Sequence, residues 1–97
     1  MEDNQIIDLY WARSEQAIEE SDRKYGRYCL SIARSIVELE EDAEECVNDT
    51  WLAAWNAMPP HRPAQLSTFL GKLTRNLSFN RWKARRADKR GGGQLTL

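Results

Sequence analysis

All three prolines of this chain, Pro59, Pro60 and Pro63, fall in one short stretch of its 97 residues. Proline lacks a backbone N–H and clashes with the preceding turn, so no helix runs through that stretch. The segments on either side must therefore be separate elements. On both sides the apolar residues recur at spacings of three and four, the helical period. Nowhere do β-branched residues alternate as a half-buried strand requires. The chain is expected to be all-α, a compact bundle of three to four helices.

The pattern predicts a first helix over about 3–13, burying Ile6, Ile7, Leu9 and Tyr10. A second follows over about 14–37, with Ser14 as N-cap and a stripe of Ile18, Tyr25, Tyr28, Cys29, Ile32, Ala33 and Ile36. Whether the two are continuous is left open by the pattern. Gly26 weakens the second helix by about 1 kcal/mol relative to alanine, and suits close packing of a neighbouring helix.

A third helix is predicted over 42–57, where Asp42 and Glu45 resemble a capping box. Its stripe is Ala43, Cys46, Val47, Thr50, Trp51, Ala54, Trp55 and Met58. The fourth is predicted over 65–88, with Leu66, Phe69, Leu70, Leu73 and Leu77 on one side. Phe79 and Trp82 lie off that stripe and are either a platform on which bases stack or, the favoured reading, core against the first helix. Gly91, Gly92 and Gly93 break the pattern, so 1–90 is expected to be one helical domain and 91–97 the start of a flexible linker.

Several function classes receive no support. No apolar run approaches the roughly 18 residues of a membrane span, and the acidic start lacks the pattern of a signal peptide. No membrane association is expected, and a cytoplasmic location is. Cys29 and Cys46 sit within apolar helical patterns, without a Cys-x-x-Cys, and His61 is the only histidine. No metal or other cofactor is expected, and both thiols should be core. His61 has no nucleophile beside it, and the glycine run lacks the Lys and Ser/Thr of a phosphate loop. The chain does not read as an enzyme.

A net charge of −1 conceals a strong split. Residues 1–50 hold 14 acids against 5 bases, and residues 51–97 hold 9 bases against 1 acid. Such a split fits two partners of opposite charge, or two halves that pair with each other in the fold. Charge alone does not choose between these.

Three elements carry candidate function. Glu41, Glu45, Asn48, Asp49, Leu52 and Asn56 share one face of the third helix, with an apolar Leu52 amid acids and amides. This is either a solvated surface or a docking face for a basic helix, anchored at Leu52. The fourth helix carries Lys72, Arg75, Arg81, Lys83, Arg85, Arg86, Lys89 and Arg90, with Asn76 and Asn80 four residues apart. Cations neutralise phosphates without sequence preference, and amides add base-edge hydrogen bonds. The loop at 58–64, with His61 and Arg62, is either a tight connection or a stiff cationic site for an unstacked base.

These residues resemble a known family. Asp42-Ala43-Glu44-Glu45-Cys46-Val47-Asn48-Asp49-Thr50-Trp51-Leu52-Ala53-Ala54-Trp55 is similar to the signature of bacterial sigma factor region 2. Leu70-Gly71-Lys72-Leu73-Thr74-Arg75-Asn76-Leu77 resembles that family's W-L-x-x-I-A-R-N-L stretch, and Arg81-Trp82-Lys83-Ala84-Arg85-Arg86 is similar to its basic end. The compact loop resembles the extracytoplasmic-function type. Asn48 stands where the family usually has Gln. Lys72 and Leu73 stand where primary sigma factors carry two aromatics.

The resemblance implies a transcription initiation factor that recognises the promoter −10 element and helps to melt it. Glu45, Asn48, Asp49 and Leu52 would dock on the β′ coiled coil of RNA polymerase. Lys72, Arg75, Asn76, Asn80, Arg81, Lys83, Arg85 and Arg86 would meet promoter DNA. The loop with His61 and Arg62 would hold a flipped base of the non-template strand. The resemblance leaves room for an anti-sigma factor as a further partner, and the free chain is expected to be a monomer. No second helix-turn-helix follows Gly93, so the family's −35-binding domain would lie outside this chain. A free-standing nucleic-acid binder and a purely protein-binding adaptor are the alternatives.

Overall fold

The computed structural model describes the backbone of residues 1–95 and the side chains of residues 1–87. Among the described residues there are four helices: α1 (Asp3–Trp11), α2 (Gln16–Ile36), α3 (Glu40–Ala57) and α4 (Leu66–Leu95). Among the described residues there is no strand. The all-α expectation holds, and α1 and α2 are separate helices.

The break between α1 and α2 falls at Arg13, whose φ of 58° is the left-handed region that ends a helix. Ser14 does not cap α2 through its hydroxyl. It offers its carbonyl to the Ala17 N–H at 3.0 Å. The other end of α2 is joined to α3 by a fork: Arg34 Nε and Nη2 donate to the two Glu40 carboxylate oxygens at 2.8 and 2.6 Å.

The capping-box reading of Asp42 is corrected by the structure. α3 begins two residues earlier, at Glu40, with Leu39 as N-cap. Asp42 is buried, at 2% exposure, and faces α4. Its place in the helix explains this, because Asp42, Cys46, Thr50 and Ala54 share one face at spacings of four. At its far end α4 also differs from expectation. It passes Asp88 and the three glycines and reaches Leu95. Glycine lowers helix propensity but does not forbid helical backbone.

The main core joins all four helices through Ile6, Ile7, Tyr10, Cys29, Trp51, Met58, Leu66 and Leu70. A second cluster holds Ala33, Val37, Ala43 and Cys46 where α2 meets α3. Trp82 packs on that second cluster and not on α1, and Phe79 is 43% exposed. Both findings correct the expectation that this pair is core against the first helix. Cys29 and Cys46 are buried free thiols, as expected.

Two pairs of polar side chains in the core are matched across helices, whereas the buried Ser78 Oγ has no hydrogen-bond partner. The Tyr10 hydroxyl and Ser21 Oγ share a hydrogen bond of 2.7 Å. Thr50 and Thr74 lie 2.9 Å apart, and each is also placed to donate to the carbonyl four residues back. Two hydroxyl protons fill only two of those three contacts at a time, so the threonine that donates to the other gives up its own carbonyl. This pair sets the register of antiparallel α3 and α4. Going back along α3 from Thr50 to Asp42 corresponds to going forward along α4 from Thr74 to Arg85.

Close packing of the kind expected at Gly26 occurs instead at Gly71. A Cβ there would lie 2.7 Å from the Tyr28 hydroxyl on α2. At Gly26 a Cβ would meet only the Asp22 carboxylate of its own helix.

Candidate functional site

α3 presents Glu41, Glu45, Asn48, Asp49, Leu52 and Asn56 to solvent, all exposed. The helical repeat produces this, since the opposite side is taken by Ala43, Cys46, Val47, Thr50, Trp51 and Ala54 in the core. Leu52 is 57% exposed, an apolar side chain with carboxylates and amides around it.

On α4, Lys72, Arg75, Asn76, Phe79, Asn80, Lys83 and Arg86 are exposed. Their spacings of three and four make one stripe along the helix. Among the described residues no carboxylate pairs with Lys72, Arg75, Lys83 or Arg86. The Arg86 guanidinium lies 4.8 Å from the Trp82 ring centre. Lys89 and Arg90 fall outside the residues whose side chains are described.

Arg81 and Arg85 do not belong to that stripe. They continue the buried side of α4, after Leu70, Thr74 and Ser78, and so face α3. Arg81 Nη1 lies 2.8 Å from Glu45 Oε2, and Arg81 also comes within 3.8 Å of Asp42 and of Asp49. Arg85 grips Asp42 through both Nε and Nη2, the latter at 2.9 Å. The Arg85 guanidinium beside it holds the Asp42 carboxyl below the usual carboxylate range, against the opposing effect of burial. Arg81 also contributes to that lowering.

The acidic and basic halves thus meet along a seam. The two faces are not wholly separate surfaces, and Arg81 and Arg85 are engaged within the fold. Most of each face still meets solvent. The Glu45 and Asp49 side chains keep 59% and 49% exposure, while Arg81 keeps 32%. The charge split left pairing of the two halves open, and the register of the helices held the signal that locates the seam. Extending the buried repeat of α4 past Leu77 reaches Arg81 and Arg85, and extending that of α3 backward reaches Asp42.

The proline-rich loop lies where these helices join. Met58 and Pro63 are buried and anchor it, whereas His61 and Arg62 are exposed. The His61 ring centre is 4.9 Å from that of Phe69. His61, Pro63, Gln65, Thr68, Phe69 and Lys72 line one open hollow, which runs on to the α4 stripe at Lys72. Arg62 turns the other way and donates to Asp8 Oδ1 at 2.8 Å.

With this geometry in place, a family model described as Sigma-70 region 2 matches residues 22–88. The chain belongs to the sigma-70 region 2 family. It is a sigma-factor domain, with a role in RNA polymerase binding and promoter −10 recognition. Curated proteins give no match, and neither do solved structures. The sigma-70 region 2 match begins inside α2 and takes in the acidic helix, the proline loop and the basic stripe. It leaves α1 outside.

No helix among the described residues is long and apolar enough to cross a membrane. No cluster of His, Cys, Asp and Glu that could hold a metal ion occurs among the described residues.

Proposed function

We propose that this is the polymerase-docking and promoter-reading domain of an extracytoplasmic-function type sigma factor. The exposed α3 face docks on the β′ coiled coil, with Glu45, Asn48 and Asp49 as its polar contacts and Leu52 as its apolar anchor. A basic helical partner suits that face, because carboxylates and amides surround one desolvating side chain.

The α4 stripe meets the −10 element. Lys72, Arg75, Lys83 and Arg86 neutralise phosphates, and Asn76 and Asn80 supply amides for base edges. Arg81 and Arg85 act chiefly by holding α4 against α3. The hollow between His61, Phe69 and Lys72 takes a flipped base of the non-template strand. Extruding a base costs a few kcal/mol, so a preformed pocket discriminates between sequences. Trapping the single strand drives melting without ATP.

What supports this reading above all is one juxtaposition. An exposed leucine set in carboxylates on α3 and a cation–amide stripe on α4 lie in one small fold, with the His61 hollow at the start of that stripe. The domain works in the cytoplasm and is a monomer when free. An anti-sigma factor would act by covering either face.

The reading is tested by a pull-down of RNA polymerase core, wild type against Glu45→Lys. Loss of core is expected with only a small fall in melting temperature, because the Glu45–Arg81 pair that the change removes lies at the surface. Retention of core by the charge-reversed variant would remove α3 as the docking face.

A further inference from the structure

α1 and the Arg13 that follows it lie outside the part of the chain that the family model matches, yet they hold the 58–62 loop at three points and the end of α3 at a fourth. Trp11 Nε1 donates to the His61 carbonyl at 3.1 Å. Arg13 Nη1 donates to the carbonyls of Trp55 and Met58 at 2.7 and 2.8 Å. Asp8 accepts from Arg62 at 2.8 Å. The loop is thereby gripped before His61, at His61 itself and after it.

Arg13 is the pivot of this arrangement. Its left-handed backbone is uncommon outside glycine and persists where surroundings over-determine it. Here the guanidinium lies 3.8 Å from the Trp55 ring centre and caps the orphan carbonyls at the end of α3. With its backbone tethered, His61 is left with its imidazole toward Phe69.

We infer that Asp8, Trp11 and Arg13 are positioning residues that preform the base-reading loop, so that α1 tunes which base the loop accepts. The inference rests on the proposed reading of that loop. The Asp8–Arg62 pair and the Trp11 N–H contact are both exposed, so they contribute little to overall stability. Their service is to hold one loop conformation, and a loop that is competent for only part of the time binds correspondingly more weakly.

The test uses the chain with RNA polymerase core and fluorescent single-stranded −10 oligonucleotides that carry each of the four bases at each position. His61→Ala identifies the position read by the loop. The double variant Asp8→Asn/Trp11→Phe should lower discrimination at that position about three- to tenfold. Discrimination at positions sensitive to Asn76→Ala, affinity for core and melting temperature should stay as in the wild type. Unchanged discrimination at the loop-read position would overturn the inference, and so would an equal loss at every position. A wild-type chain that discriminates between no bases, or a His61→Ala chain that loses nothing, would overturn the reading of the loop itself and this inference with it.

Discussion

The carboxylate of Asp42 on α3 is held at both oxygens by the guanidinium of Arg85 on α4. The acid is 3% exposed as a side chain and the base 51%, so the pair is buried at one end and wet at the other. Exposed pairs contribute up to about 1 kcal/mol, and breaking a buried one costs about 3–5 kcal/mol. Asp42→Ala should therefore destabilise the domain by about 1–2 kcal/mol, because the freed arginine can reach water. Denaturant unfolding checks this, and a loss within error of zero would show the pair to be incidental.

The same pair predicts an acid limb. The folded Asp42 carboxyl titrates below its unfolded value of 3.8. Its stabilisation is complete above that value and is lost as pH falls toward the lower folded one. Melting temperature should fall on acidification through that window, and less steeply in Asp42→Asn. Equal acid limbs in the two proteins would assign the effect to other carboxylates.

Arg81 competes with any basic partner for Glu45 and Asp49. Arg81→Ala should tighten binding of core polymerase by about two- to fivefold at low salt, and the gain should shrink as salt screens the carboxylates. Weaker binding would mean that Arg81 orients those carboxylates for the partner.

Gly26 should be replaceable with profit. A Cβ there meets only the tip of the exposed Asp22 side chain, which can swing aside. Gly26→Ala should raise stability by about 0.5–1 kcal/mol by improving helix propensity. A loss of stability would show that the Asp22 side chain does not swing aside.

Arg75 is exposed on the α4 stripe and has no carboxylate partner among the described residues. Arg75→Ala should weaken promoter complexes and reduce the slope of log affinity against log salt by about 1. An unchanged slope would remove Arg75 from the phosphate contacts.

The repeat of apolar residues made the four helices legible, and the prolines made the loop legible. The exposed α3 face followed from spacing alone, because every residue placed on it is indeed at the surface. Less legible were polar residues in apolar positions. Asp42 looked like a cap because acids favour first turns, but burial with two arginines placed it in the interface. Arg81 and Arg85 looked like DNA ligands by charge, although their register belongs to the packed side of α4. Trp82 found the α2–α3 cluster, which no local pattern could specify. The Trp11 and Arg13 contacts join residues roughly forty to fifty positions apart through backbone carbonyls, which leave no trace in side-chain pattern.

The central claim is that one domain holds polymerase with α3 while α4 and the loop read an opened strand. It is tested most directly by the anisotropy of a labelled non-template −10 strand titrated with the chain, with and without RNA polymerase core. Core should raise affinity for the strand. Asn76→Ala/Asn80→Ala should lose the strand but keep core, and Glu45→Lys should lose core and with it the gain. If core instead displaced the strand, the two surfaces would be one, and the account would be wrong.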